Sequence, residues 1–223
     1  MKLHFDPNQQ FQLDAINSVV GVFEGQPLNQ GGFDTLFGDA LFKDIGIGNR
    51  LVLDEDQILE NVNTVQKMNG LAVSNSLDGM NFSVEMETGT GKTYVYLRTI
   101  YELNKKYGFK KFVIVVPSIA IREGVLKNLE ITFDHFQNLY DKTPVNFVVY
   151  DSRRVSSLRN FSDNNNIQIL VINIDSFAKD ENIINKPNDR LTGKKPVEFI
   201  QVTRPIVIVD EPQNMETEIR AKA

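Results

Sequence analysis

Short runs of β-branched and aromatic residues alternate along the chain with longer segments that carry apolar residues at helical spacing. The runs are NFSVEM (81–86), KFVIVVP (111–117), VNFVVYD (145–151), IQILVINI (167–174) and PIVIVDE (205–211). Near-continuous apolar runs of this length are typical of strands that are buried on both faces of a parallel sheet. The alternation therefore predicts an α/β fold with an open, doubly wound, mainly parallel sheet and helices on both faces.

Four segments carry the pattern of a helix. KTYVYLRTIYELNKKYG ends on Gly108, a residue suited to a helix C-terminus, and SIAIREGVLKNLEITFDHFQNLY follows the second run. Upstream, one helix is predicted over about 8–23 and another within DEDQILENVNTVQKMN, where Asp54 is a candidate N-cap. Segment 182–199 is rich in turn formers and predicts a surface loop between two strands.

The domain organisation follows from length. A chain of 223 residues suits one α/β domain with a real core, so we expect a single domain over 1–223. Residues 24–80 are predicted to form an insertion, which begins with the glycine- and asparagine-rich GQPLNQGGFDTLFGD. The chain stops at Ala223, soon after the last apolar run, which predicts a part of a longer protein.

Composition excludes several kinds of site. The chain has no cysteine, which excludes disulfides, zinc-thiolate sites and thiol catalysis. No apolar run approaches the roughly 20 residues of a membrane span, and the N-terminus has no apolar signal region. We therefore expect a cytoplasmic protein without membrane contact. The net charge of -5 gives no global basic surface, so any nucleic-acid contact must come from local groups.

The stretch METGTGKT (86–93) is a candidate phosphate-binding loop. The P-loop pattern is G-x-x-x-x-G-K-[ST]; Gly91, Lys92 and Thr93 fill its last three positions, while Met86 stands at the first. The loop follows a predicted strand and precedes a predicted helix, which is the context that a P-loop requires. The alternative is a glycine turn beside an exposed lysine.

Each residue type in this loop suits a bound nucleotide. Gly89 and Gly91 allow backbone N–H groups to converge on a phosphate at the positive end of the following helix. Lys92 would reach the β- and γ-phosphates, and the Thr93 hydroxyl would ligate Mg²⁺. The candidate ATP-binding residues of the loop are Thr88, Gly89, Thr90, Gly91, Lys92 and Thr93.

An acidic pair follows the last apolar run in IVIVDEPQN (206–214). It places Asp210 and Glu211 at the carboxyl end of a predicted strand, where ligands bind in sheets of this kind. Asp210 would hold Mg²⁺, and Glu211 would position or deprotonate the attacking water. An acidic pair after a strand can also be the start of a solvated loop.

TGTGKT followed by a D-E-x-x box resembles the first RecA-like domain of superfamily 2 helicases and translocases, in which the first P-loop position often departs from glycine. The stretches METGTGKTYVYLRTIYEL, VPSIAIREGV, INIDSF and VIVDEPQNM are together similar to the restriction (Res) subunit of type III restriction-modification enzymes. The resemblance covers nearly the whole chain. It implies a P-loop NTPase domain that uses ATP and Mg²⁺ to drive translocation or switching along double-stranded DNA before cleavage.

The resemblance also implies partners. They are double-stranded DNA, a methyltransferase (Mod) subunit, and a second RecA-like domain and a nuclease domain of the same parent chain. No PD followed by (D/E)xK occurs in this sequence, in keeping with a nuclease centre in a C-terminal domain. Two other functions stay open: another superfamily 2 translocase, such as a type I restriction motor, or a nucleotide-binding scaffold without turnover.

Three weaker motifs follow from the same resemblance. FQLDAI (11–16) is similar to the adenine-reading Q motif, in which the amide of Gln12 both donates and accepts, although it could simply lie on a helix surface. The position of motif Ia makes Ser118 and Arg122 candidate DNA contacts, and a solvated helix is the alternative. At the position of motif Ib, Asn173 and Ser176 could face the DNA backbone or cap a turn.

Two features suggest functions that the sequence does not support. NKPND (185–189) is similar to the guanine-reading N-K-x-D motif, but the required aspartate falls on Asn188, so GTP specificity is not expected. His4 and His135 are far apart in sequence and lack accompanying ligands, which favours surface or packing roles over a metal site.

Overall fold

The computed structural model describes residues 4–28, 47–177 and 179–214. The described residues form two compact units, one with 4–28, 51–108 and 128–141 and the other with 47–50, 109–127 and most of 142–214. Most of the glycine-rich start of the predicted insertion lies outside the described residues. The single domain over 1–223, with an insertion at 24–80, stays a prediction. None of the helices described is long and apolar enough to cross a membrane.

The first unit contains the helices α1 (Gln10–Gly21), α2 (Glu55–Met68) and α3 (Lys92–Tyr107). Asp54 begins α2 as predicted: its carboxylate accepts from the Gln57 N–H at 2.9 Å, and the Gln57 side chain accepts from the Asp54 N–H at 3.1 Å. Gly108 ends α3 in the left-handed conformation, with φ 77°. These helix predictions are confirmed.

The second unit is built on a sheet of β1 (Lys111–Val116), β2 (Val145–Val149), β3 (Ile167–Asn173) and β4 (Ile206–Val209). The strand order is β2-β3-β1-β4 and all three pairings are parallel. Helix α4 (Ile119–Leu139) follows β1, α5 (Ser157–Asp163) precedes β3, and α6 (Pro196–Gln201) precedes β4. The predicted α/β class with a parallel sheet is confirmed.

The core of the second unit lies between the sheet and the two short helices. Leu158 and Phe161 of α5 and Phe199 and Ile200 of α6 are buried against aliphatic side chains of β1 and β3. Every residue of β1 is buried, whereas β2 and β4 are partly exposed because they form the edges of this sheet. Burial on both faces was therefore predicted correctly for the central strands and wrongly for the edges.

The predicted strand at 81–86 is absent from the structure. Residues 81–87 form no ladder, and Phe82 and Val84 are 41% and 47% exposed. A run with high β propensity becomes a strand only when a neighbouring strand satisfies its N–H and C=O groups. The context expected for the P-loop is therefore met by the following helix and not by a preceding strand.

The predicted loop at 182–199 contains more regular structure than expected. Two 3₁₀ turns, Ile183–Asn185 and Asp189–Leu191, occupy it, and its last residues already belong to α6. Ile184 and Leu191 are buried in the core of the second unit. These two apolar side chains fix a segment whose turn formers alone predict an irregular surface loop.

Lys111, the first residue of β1, is fully buried. Its Nζ atom donates to the carbonyl oxygens of Phe161, Ser162 at 3.0 Å and Asn164 at 2.7 Å, at the C-terminal end of α5. Three carbonyl acceptors require the three donors of the ammonium form. Burial nevertheless lowers the pKa of Lys111 to about 8. The side chain ties β1 to α5, since a cation suits the negative end of a helix.

Candidate nucleotide and nucleic-acid sites

The candidate phosphate loop forms a tight turn before α3. Gly89 and Gly91 have φ values of 83° and 87°, which side chains other than glycine rarely adopt. The Thr90 hydroxyl donates to the Glu87 carbonyl at 2.6 Å, and the Val95 N–H donates to the Gly91 carbonyl at 3.0 Å to begin α3. Gly91 contributes no capping side chain, so the amino end of α3 keeps the positive character that attracts a phosphate.

The remaining predicted residues of the loop lie where the motif requires them. Lys92 and Thr93 are the first two residues of α3 and are partly buried, and Thr88 lies in the exposed turn. The Thr93 hydroxyl in the first unit and the Asp210 carboxylate in the second are each a hard oxygen ligand of the kind that Mg²⁺ prefers, and their binding of one ion stays a prediction. Among the described residues there is no cluster of three or more His, Cys, Asp or Glu side chains that could hold a metal ion.

Gln12 lies against this loop. The residue is buried, so the helix-surface alternative is wrong, and its Nε2 donates to the Thr90 carbonyl at 2.9 Å. A Cβ atom at Gly91 would lie only 2.8 Å from the same Nε2. Gln12 therefore supports the backbone of the phosphate loop, while its contact with adenine stays a prediction.

Because Gly91 lies close to Gln12, we expect Gly91→Ala to weaken ATP binding more than Gly89→Ala does. Gly91→Ala combines a left-handed φ, which costs an L-residue about 1–2 kcal/mol, with a clash that displaces Gln12 from Thr90. Gly89→Ala imposes only the φ strain, because its Cβ would meet no described atom within 4 Å. We expect calorimetry with ATP and Mg²⁺ to show roughly tenfold or more weaker binding for Gly91→Ala and a smaller decrease for Gly89→Ala.

Gly124 provides the matched control. It is exposed within α4 and a Cβ there would meet no described atom within 4 Å, so Gly124→Ala should leave ATP affinity unchanged. Equal decreases for Gly89→Ala and Gly91→Ala would contradict the supporting role of Gln12.

A buried arginine, which belongs to none of the sequence motifs, holds the segment before α1. Arg98 of α3 donates to the Pro7 carbonyl at 2.5 Å and to the Tyr140 hydroxyl at 3.2 Å. Tyr140 in turn donates to Glu102 at 2.6 Å, and burial raises the pKa of this tyrosine. Because Pro7 closely precedes α1, the network fixes the helix that carries Gln12.

His135 is a packing residue, one of the two roles predicted for it. It lies among Phe5, Tyr94 and Phe136, and its Nε2 is 2.9 Å from the Tyr94 hydroxyl. Burial lowers the pKa of His135, so the ring stays neutral at physiological pH. This aromatic group packs the beginning of α3 against the last part of α4.

The acidic pair extends β4 at the carboxyl edge of the sheet. The Asp210 N–H donates to the Val115 carbonyl at 3.0 Å and so continues the ladder by one residue. Glu211 then adopts φ 54°, an unusual value for a residue other than glycine, and its carboxylate accepts from Gln213. Backbone strain of this kind concentrates at functional sites. Gln213, two residues further along the chain, donates this hydrogen bond from its side-chain amide.

The four candidate DNA contacts divide into two groups. Arg122 and Ser176 line one open cleft of about 890 Å³ in the second unit. Ser118 accepts from the Ile121 N–H at 3.3 Å at the start of α4, and the Asn173 side chain accepts from the Asp175 N–H at 2.8 Å. Asn173 therefore caps a turn, as its alternative role predicted, and Ser118 caps a helix. Contact of these residues with DNA stays a prediction.

Two left-handed glycines precede Lys92 and Thr93 at the start of a helix, and the parallel sheet of the chain ends in an acidic pair. These features define an α/β chain of the RecA-like P-loop NTPase class. Residues 52–218 match the family described as "Type III restriction enzyme, res subunit". The chain belongs to this family, and the resemblance seen in the sequence is confirmed.

Three type III restriction-modification Res subunits are similar to the chain. The StyLTI Res subunit of Salmonella typhimurium is 38% identical over 60% of the chain and 16% of its own length. The EcoP15I subunit of Escherichia coli is 31% identical over 75% of the chain and 19% of its length. The EcoPI subunit of Escherichia phage P1 is 28% identical over 96% of the chain and 23% of its length. The chain thus spans about a fifth of the length of these relatives.

Proposed function

We propose that this chain is the N-terminal RecA-like ATPase domain of a type III restriction enzyme Res subunit. It binds ATP with Mg²⁺ and couples hydrolysis to translocation or switching along double-stranded DNA before cleavage. The observation that carries the proposal is the glycine loop at the start of α3, in which the Thr90 carbonyl accepts a hydrogen bond from Gln12. Membership of the Res-subunit family supports ATP as the nucleotide.

The roles of the residues follow from their chemistry. Lys92 binds the β- and γ-phosphates, and backbone N–H groups of 89–93 bind the remaining phosphate oxygens. Thr93 and Asp210 would hold Mg²⁺, which neutralises phosphate charge when it is bound. Glu211 orients the attacking water and accepts its proton. Gln12 supports the loop and presents its amide to the adenine edge.

The partners are inferred from the relatives. We propose that the parent protein acts with a Mod methyltransferase subunit on double-stranded DNA, in the cytoplasm, and that a second RecA-like domain and a nuclease domain complete it. These proposals rest on the similarity to type III restriction-modification Res subunits, which are several times longer than the chain.

Steady-state phosphate release tests the proposal. The 223-residue chain alone should hydrolyse ATP very slowly and without stimulation by duplex DNA. The reason is that an arginine finger is worth roughly 10³–10⁵ in rate, and we place this arginine in the proposed second RecA-like domain. The full-length Res subunit with Mod should show DNA-stimulated release, and its absence there would contradict the proposal. Robust DNA-stimulated turnover by the chain alone, abolished in Lys92→Ala, would instead contradict the need for a second domain.

A further inference from the structure

A second, smaller cavity in the second unit is lined by cations that none of the motifs assigns. It has a volume of about 540 Å³ and lies between the 3₁₀ turn Ser152–Arg154 and residues 186–190. Arg153, Lys186 and Arg190 line it together with the polar side chains of Ser152 and Asn188. Within the part of the chain that the structure describes, no Asp or Glu lines this cavity. Its lining therefore favours an anion.

The backbone under these cations is held in place by hydrogen bonds. Asp151 accepts from the Arg153 N–H at 2.9 Å and so caps the first turn. Asn188 accepts from the Arg190 N–H at 3.0 Å, and Arg190 reaches across to donate to the Arg153 carbonyl at 3.2 Å. The Arg153 Nε also pairs with the Asp151 carboxylate at 3.3 Å, but the Arg153 side chain is 88% exposed, so the rest of its guanidinium is accessible to a ligand.

The smaller cavity continues into the cleft that contains Arg122 and Ser176. The two share Ser152, Arg153 and Ile183. Three carboxylates also line the larger cleft, those of Asp151, Asp175 and Glu181, so positive charge is concentrated at the smaller cavity. Arg122, Arg153 and Arg154 line the larger cleft beside these carboxylates, so cations are present in both cavities. The repeated anions of a sugar-phosphate backbone suit cations that are spread over both cavities.

We propose that Arg153, Lys186 and Arg190 form a phosphate-contact site for nucleic acid, in addition to the predicted DNA contacts Arg122 and Ser176. The proposal rests on the function proposed above. The loops that carry these residues follow β2 and β3 at the carboxyl edge of the sheet, as does Arg122 after β1. Exposed guanidinium and ammonium groups bind phosphates without reading sequence, so the site positions DNA rather than selecting a base.

The test is the salt dependence of DNA binding by the 223-residue chain, measured by fluorescence anisotropy with a labelled duplex. Each phosphate contact contributes about 0.9 to the slope of log K against log[salt], so Arg153→Ala/Arg190→Ala should lower the slope by roughly two. Affinity at low salt should fall by roughly tenfold for each arginine that is replaced. Replacing Arg190 by lysine instead of alanine keeps the charge, so a variant with Arg153→Ala and Arg190→Lys should regain about half of the slope that Arg153→Ala/Arg190→Ala loses.

Arg159→Ala is the matched control. Arg159 is an exposed arginine of α5 that is absent from both cavities, so its replacement should change neither slope nor affinity. ATP affinity, measured in parallel, should be unchanged in every variant.

Three outcomes would overturn the inference. An unchanged slope in Arg153→Ala/Arg190→Ala would overturn the inference alone and leave the proposed function standing. Binding of polyglutamate but not of DNA would replace nucleic acid by an acidic protein partner. Failure of the unaltered chain to bind DNA would overturn the inference, and a simultaneous failure to bind ATP would overturn the proposed function as well.

Discussion

Glu211→Gln should reduce ATP turnover in the full-length protein by roughly 10²–10⁴-fold, the usual contribution of a positioned general base. Nucleotide affinity should be retained, because the proposed phosphate and metal ligands are other residues. The carboxylate lies just past the carboxyl end of β4 in a strained backbone conformation and accepts a hydrogen bond from Gln213. Steady-state phosphate release and ATP binding, measured on the same preparation, separate the two effects.

Two further variants make this result specific. Asp210→Ala should weaken the Mg²⁺-dependent part of binding, in contrast to Glu211→Gln. Glu60→Gln, an exposed carboxylate on α2, should leave both rate and affinity unchanged. Normal hydrolysis by Glu211→Gln would show that another group activates the water.

Lys92→Ala should weaken ATP binding by more than tenfold. The substitution would remove the proposed charge-assisted contact with phosphate, and hydrogen bonds to charged groups are worth roughly 1.5–3 kcal/mol. Lys92 is the first residue of α3, directly after the left-handed Gly91, so its side chain begins at the edge of the loop. Calorimetry with ATP and Mg²⁺ measures the decrease in affinity.

Lys105 provides a control on the same helix. It lies in the last turn of α3, roughly 20 Å from Lys92 at 1.5 Å per residue, so Lys105→Ala should keep the affinity of the unaltered chain. If Lys92→Ala binds ATP as tightly as Lys105→Ala does, the phosphate-loop assignment is wrong.

The sequence predicted those elements whose signals are local. The four apolar runs that became strands and the helices capped by Asp54 and Gly108 carry their information within a few residues. The glycine loop and the acidic pair were found in the same way, because each motif is short. The strand predicted before the glycine loop is absent, because the run at 81–86 has the composition of a strand but no partner strand in the described structure.

Contacts between distant parts of the chain could not be predicted. Gln12 and Thr90 are joined by a hydrogen bond although they are 78 residues apart, and no sequence motif predicts a contact over that separation. The sequence around Arg98 is typical of a polar position on a helix, but in the structure the residue is buried and donates to the Pro7 carbonyl. Arg153 and Arg190 are also far apart in sequence, and they line one cavity only because the chain folds in this way.

Hydrogen exchange measured by mass spectrometry tests the central proposal most directly, which is that one nucleotide binds both the glycine loop and the acidic pair. The full-length protein would be compared with and without a non-hydrolysable ATP analogue and Mg²⁺. We expect slower exchange in peptides that cover 88–95 and in those that cover 208–213, and neither change in Lys92→Ala. Protection of only one of the two segments, or protection that persists in Lys92→Ala, would contradict the account.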